Sequence, residues 1–435
     1  MTLRRFFGLP SRQPIAQGSG IPRGVEQAIR LCHALLSERG EVSGVRLAGE
    51  AFDAYRSLDA AGRALFFDLL VGEFSPDPEE VGRAGDSYRN APTPQNLARL
   101  QRVIEPPRQE LFRRLNMAPG GTAALVNMRK ELLRQLDANP QWEPIEFDLV
   151  HLLSSWFNRG FLVLERIDWR TSALVLEKLI EYEAVHQIQG WHDLRRRLEA
   201  DRRCYAFFHP ALPNEPIIFI EVALTRGMSD KVQPLLDPDS EVCDPSAADC
   251  AMFYSITNCQ EGLRGISFGS LLIKKVVEDL GRDFPGVKKF ATVSPIPGFR
   301  KWLEAHAEDP RFASLKHLLV PDWHKNHTGS TRLERELRAL CAYYLLHAKQ
   351  GREPLDSVAR FHLKNGARLE RLNWLGDTSP AGMERSAGLM VNYLYRLGDV
   401  ERNHEAYRRE YKISASAHIE WLAKQCPLAR PQIPK

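Results

Sequence analysis

The sequence predicts a chain of two parts, an all-α helical bundle followed by a mixed α/β region in which helices pack on a sheet. Three observations carry this. Up to about residue 158, apolar residues recur at three- and four-residue spacing, and strand-like alternation is absent. From Gly160 onward, short apolar runs alternate with amphipathic stretches. With 435 residues, 43% of them hydrophobic, the chain is long enough for two or three domains and a sizeable core. The expected division is a flexible basic tail over 1–23, a helical bundle over 24–159 and the α/β part over 160–435.

In the first part, Val25, Ile29, Cys32 and Leu36 line one helix face, and Leu65, Phe66, Leu69 and Leu70 another. Thr93-Pro94 gives an N-cap with proline at the first helical position, and Leu97, Leu100 and Val103-Ile104 follow as a core stripe. Pro106-Pro107 and Ala118-Pro119-Gly120-Gly121 punctuate. Two further helices span 125–136 and 146–157. In the second part, 161–167 reads as a strand, 172–184 as a helix and 191–202 as a charged helix. Its adjacent Arg195, Arg196 and Arg197 read as a solvated face. Strands follow at 204–208 and 216–225. From Ile217 to Leu224 every residue but Glu221 is apolar, which predicts a strand buried on both faces.

The stretch from Ala251 to Trp302 organises the rest. A strand at 251–257 leads into a turn with Gly262, Gly265 and Gly269, then a helix beginning near Phe268, then a strand at 289–293 ending on Ser294-Pro295-Ile296-Pro297. Such a unit presents backbone N–H groups at a helix start, which suits phosphate or pyrophosphate. Further helices are expected at 332–350, 384–396 (bearing Tyr393) and 416–425, with His362 in a stretch from 358 to 374.

Composition excludes several classes. A net charge of +4 is small for this size and gives no reason to expect nucleic acid. No apolar run approaches the ~18 residues of a membrane span. The seven cysteines are scattered without a Cys-x-x-Cys pair, which points to reduced thiols in a cytosol-like, cytoplasmic compartment. No metal site is expected: the histidines form no His-Glu-x-x-His pattern, and His324 and His327 read as a polar surface loop. The first 23 residues carry four arginines and no acid, and read as a disordered tail rather than a targeting segment.

Arg264, Gly265, Ile266, Ser267, Phe268, Gly269 and Ser270 form a turn that resembles the Arg-Gly-x-Gly-x-Gly/Ala turn of the GNAT-type N-acetyltransferase fold. That turn wraps the pyrophosphate of coenzyme A. Ser267 departs from the pattern, and an ordinary strand-to-helix turn fits the same glycines. A wider set of blocks resembles the malonyl-CoA decarboxylase family. These are residues 253–269, Ser294-Pro295-Ile296-Pro297-Gly298-Phe299, Phe361 to Ala367, and Gly388 to Tyr393, with support at 156–162 and 215–217.

The resemblance implies an acetyltransferase-like catalytic domain, a malonyl-CoA substrate, no cofactor and a homotetramer built through helical domains. It also implies an active-site serine as proton acceptor and a histidine as proton donor, in the blocks that here carry Ser294 and His362. Taken alone, a Ser and a His 68 residues apart carry little information. Tyr393 falls in a third matching block. Its hydroxyl could orient His362 or the malonyl carboxylate, and a core tyrosine on a helix beside Met390 fits equally.

Losing CO2 from a malonyl thioester places charge on the thioester oxygen as an enolate, which must be stabilised and then protonated at carbon. A hydroxyl and an imidazole suffice for those steps. The alternative carried by the glycine turn alone is an acetyl-CoA-dependent N-acyltransferase, which would need a second cleft for an amine.

Overall fold

The structure is a computed structural model that describes residues 21–266, 268, 272–306 and 330–429. Residues 1–20 of the basic tail, Ser267, Gly269, Ser270, and the loop with His324 and His327 lie outside the described residues. The chain divides into two compact units between Trp156 and Phe157.

The first unit holds helices α1 (Arg23–Ser37), α2 (Glu41–Arg56), α3 (Ala60–Glu73), α4 (Pro78–Asn90), α5 (Pro94–Ile104), α6 (Pro107–Leu115), α7 (Gly121–Gln135) and α8 (Glu143–Trp156). Their starts are chemically marked. The Asp59 side chain accepts from the Gly62 amide at 2.7 Å, and Thr93 Oγ1 accepts from Asn96 at 3.2 Å, ahead of a proline at the first turn. Val25, Ile29 and Cys32 of α1, Phe52 of α2 and Phe66, Phe67 and Leu70 of α3 are buried, so the stripes read from the sequence do form a core. Arg108 of α6 and Asp148 of α8 are buried together, with Nη2 2.6 Å from Oδ2, and Gln109 donates to the other carboxylate oxygen at 2.7 Å. The pair is buried only because its hydrogen bonds are satisfied.

Helix α5 departs from expectation. No residue of it is buried, Leu97 is 38% exposed and Ile104 49%. Its main neighbour is α4, and of the stripe read as core Leu97 and Ile104 are exposed while Leu100 and Val103 are half-buried.

The second unit runs β1 (Val163–Ile167), α9 (Ala173–Tyr182), α10 (Trp191–Arg197), β2 (Arg202–Phe208), β3 (Ile218–Thr225), α11 (Gln233–Leu236), β4 (Cys250–Asn258), α12 (Leu272–Asp283), β5 (Lys289–Thr292), β6 (Ser294–Pro295) and α13 (Phe299–Ala305). It continues with α14 (Ser330–His347), β7 (Lys349–Gln350), β8 (Glu353–Pro354), α15 (Ser357–Lys364), β9 (Arg368–Asn373), α16 (Pro380–Ser386), β10 (Met390–Leu394), α17 (Leu397–Glu410) and α18 (Ala417–Gln425). Eight strands form one sheet in the order β1-β2-β3-β4-β5-β10-β6, with β9 on the other side of β10. Neighbours are antiparallel except β4 and β5, whose parallel pairing needs the crossover that α12 supplies. This is the mixed α/β architecture, with helices and sheet together, that the second half of the sequence predicts.

Three local expectations are corrected. Arg196 and Arg197 are not a solvated face. Both are buried, Arg196 against Asp201 at 2.6 Å and Arg197 against Glu221 at 2.8 Å and Asp193 at 2.9 Å. Glu221, the polar exception in β3, is thus an ion-pair partner inside the sheet's helix-covered face. The segment 384–396 is not a helix. Ala387 and Gly388 adopt φ of +51° and +75°, which ends α16 and turns the chain into β10. Met390 to Tyr393 are all buried, and periodicity cannot tell a short buried strand from a buried helix. Finally, the helix after the glycine turn is described from Leu272, not Phe268, and α17 has no counterpart in the sequence reading.

Candidate active site

The parallel pair β4–β5 sets the site. Their register runs from Cys250↔Lys289 to Phe253↔Thr292 and no further, although β4 continues to Asn258. Beyond Phe253 the strands part, because β5 passes into β6 and pairs with β10 instead, through Val391↔Ser294. In open α/β sheets, ligands bind beyond the carboxyl ends of parallel strands. The glycine turn follows the carboxyl end of β4, and Ser294 follows that of β5, so both regions singled out in the sequence lie at this edge.

Ser294 is held between Thr292 and His362. Its hydroxyl donates to Thr292 Oγ1 at 2.8 Å, and its Oγ lies 3.1 Å from His362 Nε2. Thr292 is itself tied to β10. Its Oγ1 accepts from the Tyr393 amide at 3.1 Å, and its carbonyl accepts from Asn392 Nδ2 at 2.6 Å. Side chains therefore replace ladder bonds where β5 becomes β6, and the buried polar groups there are satisfied. Ile296, between the two prolines, and Phe299, just beyond them, are buried and anchor the far side of Ser294.

His362 sits on α15, whose first turn is capped by Asp356 Oδ1 accepting from Ala359 at 2.8 Å. Its Nδ1 lies 2.7 Å from the Tyr395 hydroxyl. Tyr393 stacks on the imidazole at 4.3 Å between centroids and 23° between planes. Burial pushes the His362 pKa down to about 3, so the ring is neutral across physiological pH. The same desolvation pushes both tyrosine hydroxyls well up.

The sequence reading offers the Tyr393 hydroxyl to His362 or to the malonyl carboxylate, with a core tyrosine fitting equally; the hydroxyl that reaches His362 is that of Tyr395, two residues on. Among the described residues the buried Tyr393 hydroxyl has no hydrogen-bond partner, and its contact with His362 is through the ring. Tyr395 and Thr292 were not singled out. The signal was present: i and i+2 share a strand face, so Tyr393 implies Tyr395 and Ser294 implies Thr292 once these segments are strands.

Of the glycine turn, Arg264, Gly265, Ile266 and Phe268 are described. Gly265 has φ of +81° with open space where a Cβ would stand, so glycine answers a backbone requirement rather than a steric one. Ile266 and Phe268 are buried and pin the turn. Lys274, in the first turn of α12, donates to Glu401 at 2.6 Å. Among the described residues no group of three or more His, Cys, Asp or Glu side chains could hold a metal ion.

Comparison with known proteins bears on this arrangement. Residues 160–431 match the model of the malonyl-CoA decarboxylase C-terminal domain, and residues 74–157 that of the N-terminal domain. The chain is 36% identical over 423 residues to a protein of Anser anser anser named malonyl-CoA decarboxylase, mitochondrial, spanning 88% of this chain and 84% of that one. A protein of Rattus norvegicus with the same name is 37% identical over 407 residues, 84% of this chain and 83% of its own. Among solved structures, malonyl-CoA decarboxylase from Rhodopseudomonas palustris superposes with a TM-score of 0.89 at 49% identity, covering 92% of this chain and 100% of that one. The Agrobacterium vitis protein of the same name gives a TM-score of 0.85 at 47% identity, over 91% and 99% of the two chains. With matched models over both units and relatives this similar across most of their length, the chain belongs to the malonyl-CoA decarboxylase family.

Proposed function

We propose that this chain decarboxylates malonyl-CoA, giving CO2 and acetyl-CoA. The observation that carries the proposal is the convergence of Ser294 and His362, 68 residues apart in sequence, at 3.1 Å in a buried setting at the carboxyl end of the parallel strands. Breaking the bond between the α-carbon and the carboxylate releases CO2 and sends the electron pair into the thioester as an enolate. Protonation at the α-carbon then restores the thioester, and solvent resupplies the proton. Ser294 engages the malonyl group. His362, neutral because it is desolvated, acts as a relay rather than as an imidazolium: the Ser294 proton passes to the α-carbon, the Nε2 proton passes to Ser294, and Tyr395 returns a proton to Nδ1 before solvent restores the chain. Tyr393 keeps the imidazole plane by stacking, and Tyr395 holds Nδ1.

In this reading the backbone of residues 264–270 receives the coenzyme A pyrophosphate, supported by the left-handed Gly265 and by the helix that follows. The helical unit carries the contacts of a homotetramer, for which the outward apolar stripe of α5 is the support. All seven cysteines are free thiols, which suits a reducing, cytoplasmic compartment.

Incubation with malonyl-CoA alone tests the activity: acetyl-CoA and CO2 should form without any amine, and turnover only on adding an amine acceptor would sink it. Ser294→Ala and His362→Ala should each lose ~100- to 10,000-fold in kcat while the protein stays folded.

A further inference from the structure

We propose that Thr292 is a positioning residue that sets the direction of a proton chain running Tyr395, His362, Ser294, Thr292, and so fixes His362 in its Nε2–H form. The inference deepens the proposed decarboxylase site and rests on that reading for its effect on rate. The tautomer itself follows from hydrogen bonding alone.

The argument counts protons. A hydroxyl has one proton to give, and a neutral imidazole has one N–H. Thr292 Oγ1 accepts twice, from the Tyr393 amide at 3.1 Å and from the Ser294 hydroxyl at 2.8 Å. The Ser294 proton is therefore committed to Thr292 and is not on His362. The 3.1 Å contact between Ser294 Oγ and Nε2 must then be filled from the imidazole side, by Nε2–H. That leaves Nδ1 bare, and it accepts the Tyr395 O–H at 2.7 Å. The reverse direction would put the proton on Nδ1, break the Ser294–Thr292 hydrogen bond, and take the acceptor away from the buried Tyr395 hydroxyl.

This ordering is opposite to that of a serine nucleophile activated by histidine, in which the hydroxyl points at the imidazole. Here a Ser294 lone pair faces the imidazole N–H, and the Ser294 proton is parked on Thr292. When a substrate oxygen replaces Thr292 as acceptor of the Ser294 hydrogen bond, the Nε2–H stays on Ser294, so His362 remains placed to refill Ser294 once its proton is passed on.

The test is the ring 15N spectrum of the full chain labelled at histidine, with His362 assigned by its loss in His362→Gln. The wild type should show the Nε2–H pattern. Thr292→Val removes the acceptor, frees the Ser294 proton for Nε2, and should move the two ring nitrogens toward each other as Nδ1–H becomes populated. Thr292→Ser keeps the hydroxyl and should restore the wild-type pattern. The matching loss in kcat for Thr292→Val is about 10- to 100-fold with KM unchanged, inside the range of positioned proton transfer, and Thr292→Ser should recover it.

A wild type already in the Nδ1–H form overturns the proposal whether or not any variant folds. A folded Thr292→Val that keeps a pure Nε2–H pattern overturns it as well, since a residue that only packs would leave the tautomer alone. An Nε2–H spectrum that responds to Thr292 in a chain inert toward malonyl-CoA would instead fault the decarboxylase reading.

Discussion

Removing one hydroxyl from each of two tyrosines, two residues apart, should have opposite consequences. Tyr395→Phe takes away the donor 2.7 Å from His362 Nδ1 and leaves a buried ring nitrogen unsatisfied. The lost bond contributes about 0.5–1.5 kcal/mol and the stranded nitrogen adds about 1–3 kcal/mol, so destabilisation of about 2–4 kcal/mol is expected. The imidazole also loses the contact that fixes its tautomer, and kcat should fall at least ~10-fold, a part of what general acid–base positioning supplies. Tyr393→Phe removes a hydroxyl with no partner, keeps the ring that stacks on His362, and relieves a buried unsatisfied group. Its stability should be unchanged or raised by about 1 kcal/mol, with kcat near wild type. Urea unfolding and CO2 release at saturating malonyl-CoA measure both. A Tyr393→Phe enzyme that loses most of its activity while Tyr395→Phe keeps it would refute the reasoning, since the hydroxyl in use would then be the wrong one.

Other expectations follow from single features. The folded state holds His362 neutral down to about pH 3, whereas an unfolded imidazole protonates near 6.5. The unfolded chain thus binds the extra proton, and stability should fall as pH drops below 6.5 by about 1.4 kcal/mol per pH unit until about pH 3, or ~2 kcal/mol by pH 5. Urea midpoints of wild type and His362→Gln across that range should converge on acidification; parallel curves would mean the imidazole is not held neutral. Charging the α5 stripe with Leu97→Glu and Ile104→Glu should leave the fold intact and lower the oligomeric state in sedimentation, whereas an unchanged mass would remove α5 from the interface. Gly265→Ala forces an alanine to φ of +81° at about 1–2 kcal/mol, and should raise KM for malonyl-CoA more than it lowers kcat.

Much of the fold is legible in the sequence because its signals are local. The cap at Thr93 and the stripe of α1 depend on neighbours a few residues away, as does the apolar run of β3. What escaped depends on distant partners. Arg196 and Arg197 look like surface charge until Asp201, Asp193 and Glu221 are brought to them. The apolar face of α5 looks like core, yet no residue of that helix is buried. Residues 390–394 fit a helix as well as a strand until β9, β5 and β6 are seen to flank them. The proposed pair, Ser294 and His362, was reached by likeness of sequence blocks, and its geometry rests on side chains, Thr292 and Tyr395, that no block had marked.

The side-chain stitching between β5–β6 and β10 bears on how this enzyme could be re-engineered in length. The separation of Ser294 and His362 along the chain is immaterial, because α15 is placed by its own cap and packing. The spacing from Thr292 to Ser294 and from Val391 to Tyr395 is not, since a single inserted residue turns every later side chain to the opposite face. An insertion after Thr292 would move Ser294 off His362 while leaving the composition of the site unchanged. Loops between elements should therefore accept additions or new chain termini, and deletion scanning should find these two short windows to be the stretches of the second unit least able to change length.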